Sequence, residues 1–106
     1  MKKSEKFTAK PGYFSIPLTH GTVSVGFTNT HFCTNRDKRL LESDHPFSKL
    51  TWESETAEVA VIDPKTDKFI TSKFWKGINE DIIPYMTKKD FQILLDRVLK
   101  NEQISN

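Results

Sequence analysis

Apolar and polar residues alternate along two neighbouring segments near the start of the chain. In YFSIPL every second residue from Phe14 to Leu18 is apolar, and in TVSVGFT the same holds from Val23 to Phe27. This period of two predicts two half-buried strands. Residues 19–21, Thr-His-Gly, predict a short hairpin connection between them. Because Pro17 lacks an N–H group, we expect the first strand at an edge of the sheet or with a shortened ladder.

A second hairpin is predicted around DPKTD, residues 63–67, because Asp-Pro is typical of a type I turn. The flanking segments AEVAVI and KFITSKFW are rich in strand-forming residues. Near the turn both predicted faces are apolar, and strands of this kind are usually central in a sheet. One face is expected to hold Val59, Val61 and Phe69, and the other Ala60, Ile62 and Ile70.

Apolar residues recur at helical spacing in MTKKDFQILLDRVLKN, residues 86–101. Thr87 is the predicted N-cap, with Asp90 three residues on, and Met86 is expected to pack on Phe91. The predicted buried stripe comprises Phe91, Leu94, Leu95, Val98 and Leu99. Residues 29–50 are ambiguous, since HFCT could extend a strand while NRDKRLLESDHP looks like a short helical turn.

Strands first and an amphipathic helix last predict an α+β fold. We expect a small curved or barrel-like, mostly antiparallel sheet covered by the C-terminal helix. A chain of 106 residues is long enough for one domain. Residues 1–10 carry four lysines against one glutamate and predict a flexible basic tail, which leaves residues 11–106 as the domain.

Charge and cysteine content narrow the function classes. A net charge of +2 from sixteen basic and fourteen acidic residues is too small for non-specific duplex binding, so a nucleic-acid site would have to be a local patch. The single Cys33 excludes an intramolecular disulfide and favours a cytoplasmic location. No run of apolar residues is long enough to predict a membrane span.

The segment KFITSKFWK, residues 68–76, combines aromatic and basic side chains. If Phe74 points into the core, strand alternation displays Lys73 and Trp75 outward beside Lys76. Aromatic rings among lysines are typical of surfaces that stack unpaired bases. The competing interpretation is that Trp75 plugs the end of a barrel while the lysines are solvated.

Two further basic clusters could contribute phosphate contacts. Arg36 and Arg39 could fork onto phosphate oxygens. Lys88 and Lys89 lie in the first turn of the predicted helix, where the helix dipole disfavours positive charge. A phosphate bound at the helix N-terminus would explain why lysines occur there. For both clusters a solvated surface is the competing interpretation. The predicted RNA-binding set is therefore Lys73, Trp75, Lys76, Arg36, Arg39, Lys88 and Lys89.

Signals for catalysis and metal binding are weak. His31 and Cys33 are two residues apart, but a zinc site needs three or four ligands and only His20 and His45 remain as further histidines. The sequence shows no glycine-rich phosphate loop and no recognisable triad. We therefore predict no metal, no cofactor and no enzymatic activity.

PGYFSIPLTHGTVSVGF, the AEVAVIDPKTDKFITSKFW hairpin and the terminal helix together resemble a PUA-like barrel. The element order is similar to the PrgU-type regulators of Gram-positive conjugative plasmids. That resemblance implies a cytoplasmic RNA-binding regulator of surface-adhesin production.

The leading functional prediction is a small non-enzymatic regulator that binds single-stranded RNA through an aromatic and basic surface. The alternative is a protein-binding inhibitor or regulator encoded by a mobile element. Under the alternative, the exposed anchors would be Trp52, Phe47, Trp75 or Tyr85.

Overall fold

The computed structural model describes residues 6–36, 51–76 and 81–104. Within these residues the chain forms two antiparallel sheets and a C-terminal helix, which confirms the α+β class and the helix packing. The strands and the helix are β1 (Phe7–Ala9), β2 (Tyr13–Leu18), β3 (Gly21–Gly26), β4 (Trp52–Ser54), β5 (Thr56–Ile62), β6 (Ile83–Thr87) and α1 (Lys88–Lys100). The strands in the described ranges do not close into a barrel.

The larger sheet has the strand order β2-β3-β5-β6, with every neighbouring pair antiparallel. The β2–β3 hairpin and the central position of β5 are confirmed. Both edge strands carry a proline, Pro17 in β2 and Pro84 in β6. Since proline cannot donate to a ladder, it is tolerated at an edge, and Pro17 lies where its chemistry predicts. Residues 83–87, to which the sequence analysis assigned no strand, form β6.

One face of this sheet packs against α1. Val23 and Val25 of β3 lie directly opposite Val61 and Val59 of β5, and all four are fully buried. The helix contributes the buried side chains Phe91, Leu94 and Val98 to the same core.

The start of α1 is as predicted. Thr87 is the N-cap, and its hydroxyl accepts a hydrogen bond from the Asp90 N–H at 3.3 Å. The buried stripe is narrower than predicted, because Leu95 is half-buried and Leu99 is 62% exposed. None of the described helices is long and apolar enough to span a membrane.

Residues 7–9, which we assigned to the flexible tail, form β1 and pair with β4. This corrects the tail boundary, and the reason is core packing. The ring of Phe7 lies 5.6 Å from the ring of Phe27 and 5.4 Å from that of Phe91, centre to centre. Burying so large an apolar side chain outweighs the surrounding lysines.

The prediction of a strand through KFITSKFW is wrong beyond its first two residues. Pairing with β5 ends at a single bridge between Ile62 and Phe69, followed by a 3-10 helix at Thr71–Lys73. The Thr71 hydroxyl accepts a hydrogen bond from the Val61 N–H at 2.9 Å. It donates one to the Asp81 carbonyl at 2.6 Å. These side-chain bonds replace ladder bonds and turn the chain away from the sheet.

The altered pairing also moves Phe69 to the other side of the hairpin. Phe69 is 49% exposed and lies opposite Ile62, not on the face of Val59 and Val61 as expected. The chain does reverse at residues 63–67, but the Asp67 N–H donates to the Asp63 carbonyl at 2.8 Å, one residue further along than in the predicted type I turn.

Residues 28–36 form turns and bends with no strand, and the helical turn predicted in NRDKRLLESDHP falls almost wholly outside the described residues.

Candidate nucleic-acid interface

The environment of Trp75 matches neither of the two interpretations that the sequence left open. Phe74 points into the core and is 1% exposed, which confirms the inward orientation. Lys73 and Lys76 are exposed. Trp75 is half-buried and packs against the edge of the core, so its ring is neither a barrel plug nor fully displayed.

Arg97, in the last turn of α1, lies over the Trp75 ring. Its guanidinium carbon is 5.1 Å from a ring centre of the indole. Its Nη1 donates to the Phe74 carbonyl at 3.0 Å, which uses one of five guanidinium N–H donors and fixes the group above the ring. Sequence analysis missed Arg97, because only its contact with a segment 22 residues earlier in the chain gives it this position.

Trp75, Lys76, Arg97 and Ile104 line an open groove of about 490 Å³. We call this the Trp75 groove. One wall is the segment that follows α1, which folds back so that the Ile104 N–H donates to the Lys73 carbonyl at 2.8 Å. The Arg97 guanidinium over the indole gives a base a stacking surface, and the exposed Lys73 and Lys76 give a phosphate its cations.

The remaining predicted site residues lie elsewhere or are not described. Lys88 and Lys89 begin α1. Lys88 precedes Arg97 by nine residues, which corresponds to about 14 Å along the helix axis. Arg36 follows Thr34, whose N–H donates to the Thr56 hydroxyl, so it belongs to the same end of the sheet as the start of α1. Arg39 lies outside the described residues. Of the six predicted residues that the structure describes, Lys73, Trp75 and Lys76 lie together, whereas Arg36, Lys88 and Lys89 lie away from Trp75.

Arg36 makes its own aromatic contact. Its guanidinium carbon lies 3.9 Å from the centre of the Phe32 ring, and its Nη1 donates to the Thr30 carbonyl at 3.3 Å. The Phe32 carbonyl accepts the N–H of Tyr85 at 2.9 Å. Arg36, Phe32 and Tyr85 thus form a second exposed aromatic and basic cluster.

A second concavity lies on the sheet face opposite α1. The register places Ser15, Ser24 and Ala60 side by side on β2, β3 and β5, with Tyr13, Gly26 and Glu58 in the next row. Together with His31, these residues line a depression of about 460 Å³. We call it the outer pocket.

His31 forms a wall of the outer pocket by lying directly on the backbone of Gly26. A Cβ atom at Gly26 would overlap His31 ring atoms, so only glycine permits this contact. The His31 Nδ1 accepts the Thr28 N–H at 3.2 Å and lies 2.7 Å from the Thr28 hydroxyl. Because a backbone N–H can only donate, the neutral ring carries its hydrogen on Nε2.

Burial lowers the pKa of His31, and the nearby carboxylate of Glu58 partly opposes that shift. Glu58 is itself oriented, because its Oε1 accepts the Phe32 N–H at 3.2 Å. Sequence analysis did not single out Glu58. Its link to Phe32 spans 26 residues, and neither local pattern nor spacing signals it.

Cys33 is a buried thiol. Burial raises its pKa, and its Sγ donates to the Thr28 carbonyl at 3.3 Å. A thiol that resists ionisation is a poor nucleophile and metal ligand. Across residues 6–36, 51–76 and 81–104, no three histidine, cysteine or acidic side chains are grouped so as to hold a metal ion.

Comparisons with known proteins give no family for this chain. No protein-family model matches it, and searches of curated proteins and of solved structures return no significant match. The resemblance to PrgU-type regulators therefore stays a prediction.

Proposed function

We propose that this protein is a small non-enzymatic regulator that binds single-stranded RNA in the Trp75 groove. The observation that carries the proposal is the placement of the Arg97 guanidinium over the Trp75 ring, beside Lys76 in an open groove. A cytoplasmic location, a resemblance to PUA-like regulators and an origin on a Gram-positive plasmid belong to the same proposal and rest on the sequence alone.

The groove suits unpaired nucleotides better than a duplex. A base can stack on an aromatic or guanidinium face only when it is not already stacked in a helix. Trp75 and Arg97 are held in place before any ligand arrives, which reduces the entropy lost on binding. Two exposed lysines can then contact the phosphates on either side of a stacked base.

The test is fluorescence anisotropy with a short labelled single-stranded RNA at several salt concentrations. Trp75→Ala should weaken binding by about 1–3 kcal/mol with the salt slope retained, because it removes stacking and no charge. Lys76→Ala should weaken binding and reduce the slope of log K against log salt by about 0.7, the value for one phosphate contact on a single strand.

Lys89→Ala is the matched control, since it removes the same charge from the start of α1. It should leave affinity and slope close to those of the unmodified protein. Thermal melting confirms that each variant is folded. Absence of binding at low salt, or an equal loss for Lys89→Ala and Lys76→Ala, would refute RNA binding in this groove.

A protein partner is the second candidate, and the cluster of Arg36, Phe32 and Tyr85 favours it. Tyr85 is 53% exposed and has a φ of 51°, a conformation that is uncommon for a tyrosine. Exposed tyrosine and arginine are typical anchors of protein interfaces. Trp52, which we had considered as an anchor, is buried, and Phe47 lies outside the described residues.

A pull-down from host lysate separates the two candidates. A protein that stays bound after nuclease and high salt should be lost with Tyr85→Asn, because asparagine tolerates the positive φ while the aromatic ring is removed. Trp75→Ala should retain that protein. The reverse pattern, with salt-sensitive RNA lost by Trp75→Ala, supports the RNA-binding proposal.

A further inference from the structure

The outer pocket has features of a built ligand site that the Trp75 groove does not use. We propose that it binds a guanine-type base, meaning a planar heteroaromatic ring with a ring N–H adjacent to an exocyclic amino group. This proposal does not rest on RNA binding in the groove. The two sites share no residue and differ in their relation to the sheet, since the groove includes a residue of α1 and the pocket lies on the opposite sheet face.

The floor of the outer pocket is flat because its side chains are small. Ser15, Ser24 and Ala60 are paired across three strands, at a spacing of about 5 Å between neighbours. Ser15 is exposed, Ser24 is half-buried and Ala60 is only 6% exposed, so the row presents hydroxyls without bulk and a planar ring can lie against it. The volume of about 460 Å³ falls within the range of small-molecule sites, about 300–1,000 Å³.

Aromatic side chains border this floor. The His31 ring covers Gly26 in the adjoining row, and Tyr13, which is 45% exposed, lies at the edge strand. Both rings can contact a flat heterocycle, and the Nε2–H of His31 adds a donor.

The acceptor that selects guanine is Glu58. A carboxylate can take two parallel N–H donors, and guanine presents such a pair at N1 and the 2-amino group. Adenine and cytosine place an amino group beside an acceptor, while uracil places its one N–H between two carbonyls. Only guanine among the four bases therefore presents two adjacent donors to the Glu58 carboxylate, whose Oε1 has a second lone pair besides the one that accepts the Phe32 N–H.

The wall that carries His31 is organised before a ligand binds. Thr28 and Asn35 are buried polar residues at its base. The Asn35 side-chain amide donates to the Phe27 carbonyl at 2.8 Å and to the Glu53 carbonyl at 3.0 Å. These bonds tie the loop of residues 28–36 to the ends of two strands, so little ordering is needed on binding.

The same chemistry could come from a free guanine nucleotide or from an unpaired guanine in RNA. An amide NMR titration with guanosine 5′-monophosphate, inosine 5′-monophosphate and adenosine 5′-monophosphate tests the first source. Short RNAs with and without one central guanine test the second. We expect shifts at Ser24, His31 and Glu58 with guanine ligands, and about tenfold or greater weakening with inosine, which lacks the 2-amino group.

Substitutions locate the binding. Glu58→Gln should weaken guanine binding about tenfold or more, while its amide oxygen still accepts the Phe32 N–H and preserves the fold. Glu55→Gln, an exposed carboxylate between β4 and β5, is the matched control and should have no effect. Ser24→Leu should abolish binding by filling the floor. Trp75→Ala should leave it unchanged, which separates this site from the groove.

Shifts with free guanosine monophosphate support a nucleotide site, and shifts only with guanine-containing RNA support an RNA source. Equal affinity for inosine and guanosine monophosphates would overturn the proposal. Unchanged binding by Ser24→Leu, or no shift at these residues with either ligand source, would overturn it as well.

Discussion

The two faces of the four-stranded sheet are built from alternate residues of the same strands, yet they differ in side-chain size and polarity. On the face toward α1, β3 and β5 present Val23, Val25, Val59 and Val61, all fully buried. On the opposite face, Ser24 and Ala60 lie between these valines, Glu58 directly precedes Val59, and all three line an open pocket. One segment therefore specifies a packed core and, one residue later, a concave polar surface.

This difference shows which small residues need an explanation. A sheet face that is open to solvent does not require small side chains for packing, and long polar ones are common there. The row of Ser15, Ser24 and Ala60, with Gly26 beneath His31, is therefore better explained by what it leaves room for. Side chains on the inner face are restricted to those that fill the core. Side chains on the outer face are restricted to those that leave the outer pocket open.

The largest expected effect comes from placing a charge in the core between α1 and the inner face of the sheet. Leu94→Asp places an unpaired carboxylate in a fully buried position on α1. The desolvation cost and the lost apolar burial should together exceed about 4 kcal/mol, so most molecules should be unfolded. Chemical denaturation followed by circular dichroism measures the loss.

Leu99→Asp is the matched control on the exposed side of the same helix. With Leu99 62% exposed, the change should cost less than about 1 kcal/mol, most of it from a negative charge near the helix C-terminus. A cooperative unfolding transition of normal stability for Leu94→Asp would show that α1 does not pack as described.

A smaller pair of substitutions sharpens the comparison within the sheet. Val59→Ala removes two buried methyl groups and should cost about 2 kcal/mol from lost burial and the cavity it leaves. Ser24→Ala, on the neighbouring strand but facing outward, should change the free energy of unfolding by less than about 0.5 kcal/mol. Equal losses in urea denaturation would contradict the assignment of structural and open faces.

Much of the fold could be predicted because its signals are local. The β2–β3 hairpin follows from alternation and a short turn, and the start of α1 follows from Thr87 and the apolar stripe behind it. The central position of β5 follows from its apolar residues on both faces. In each case the preference of a short segment agrees with its final environment.

The errors arose where contacts between distant segments decide the structure. Thr71 ends the predicted strand through bonds to Val61 and Asp81, and Phe7 is ordered by rings that follow much later in the chain. The candidate site was predicted in part for the same reason. The sequence predicts a shared site for Lys73, Trp75 and Lys76 because they lie within four residues of one another. Arg97 and Glu58 reach their sites only when distant segments fold together.

The smallest expected effect is a pH dependence of stability that comes from His31 on the outer face. Since burial holds the pKa of His31 below its unfolded value of 6.5, the unfolded chain binds a proton more readily than the folded one. Stability contributed by neutral His31 should be complete above pH 6.5 and decline as the pH falls below it, until the lowered folded pKa is passed. Protonation would also turn Nδ1 into a donor facing the Thr28 N–H. Denaturation between pH 7.5 and 5 should show a smaller loss for His31→Gln than for the unmodified chain, whereas His20→Gln, in the exposed β2–β3 turn, should keep the full loss. An identical pH dependence in all three proteins would show that the half-buried His31 ring does not titrate as proposed.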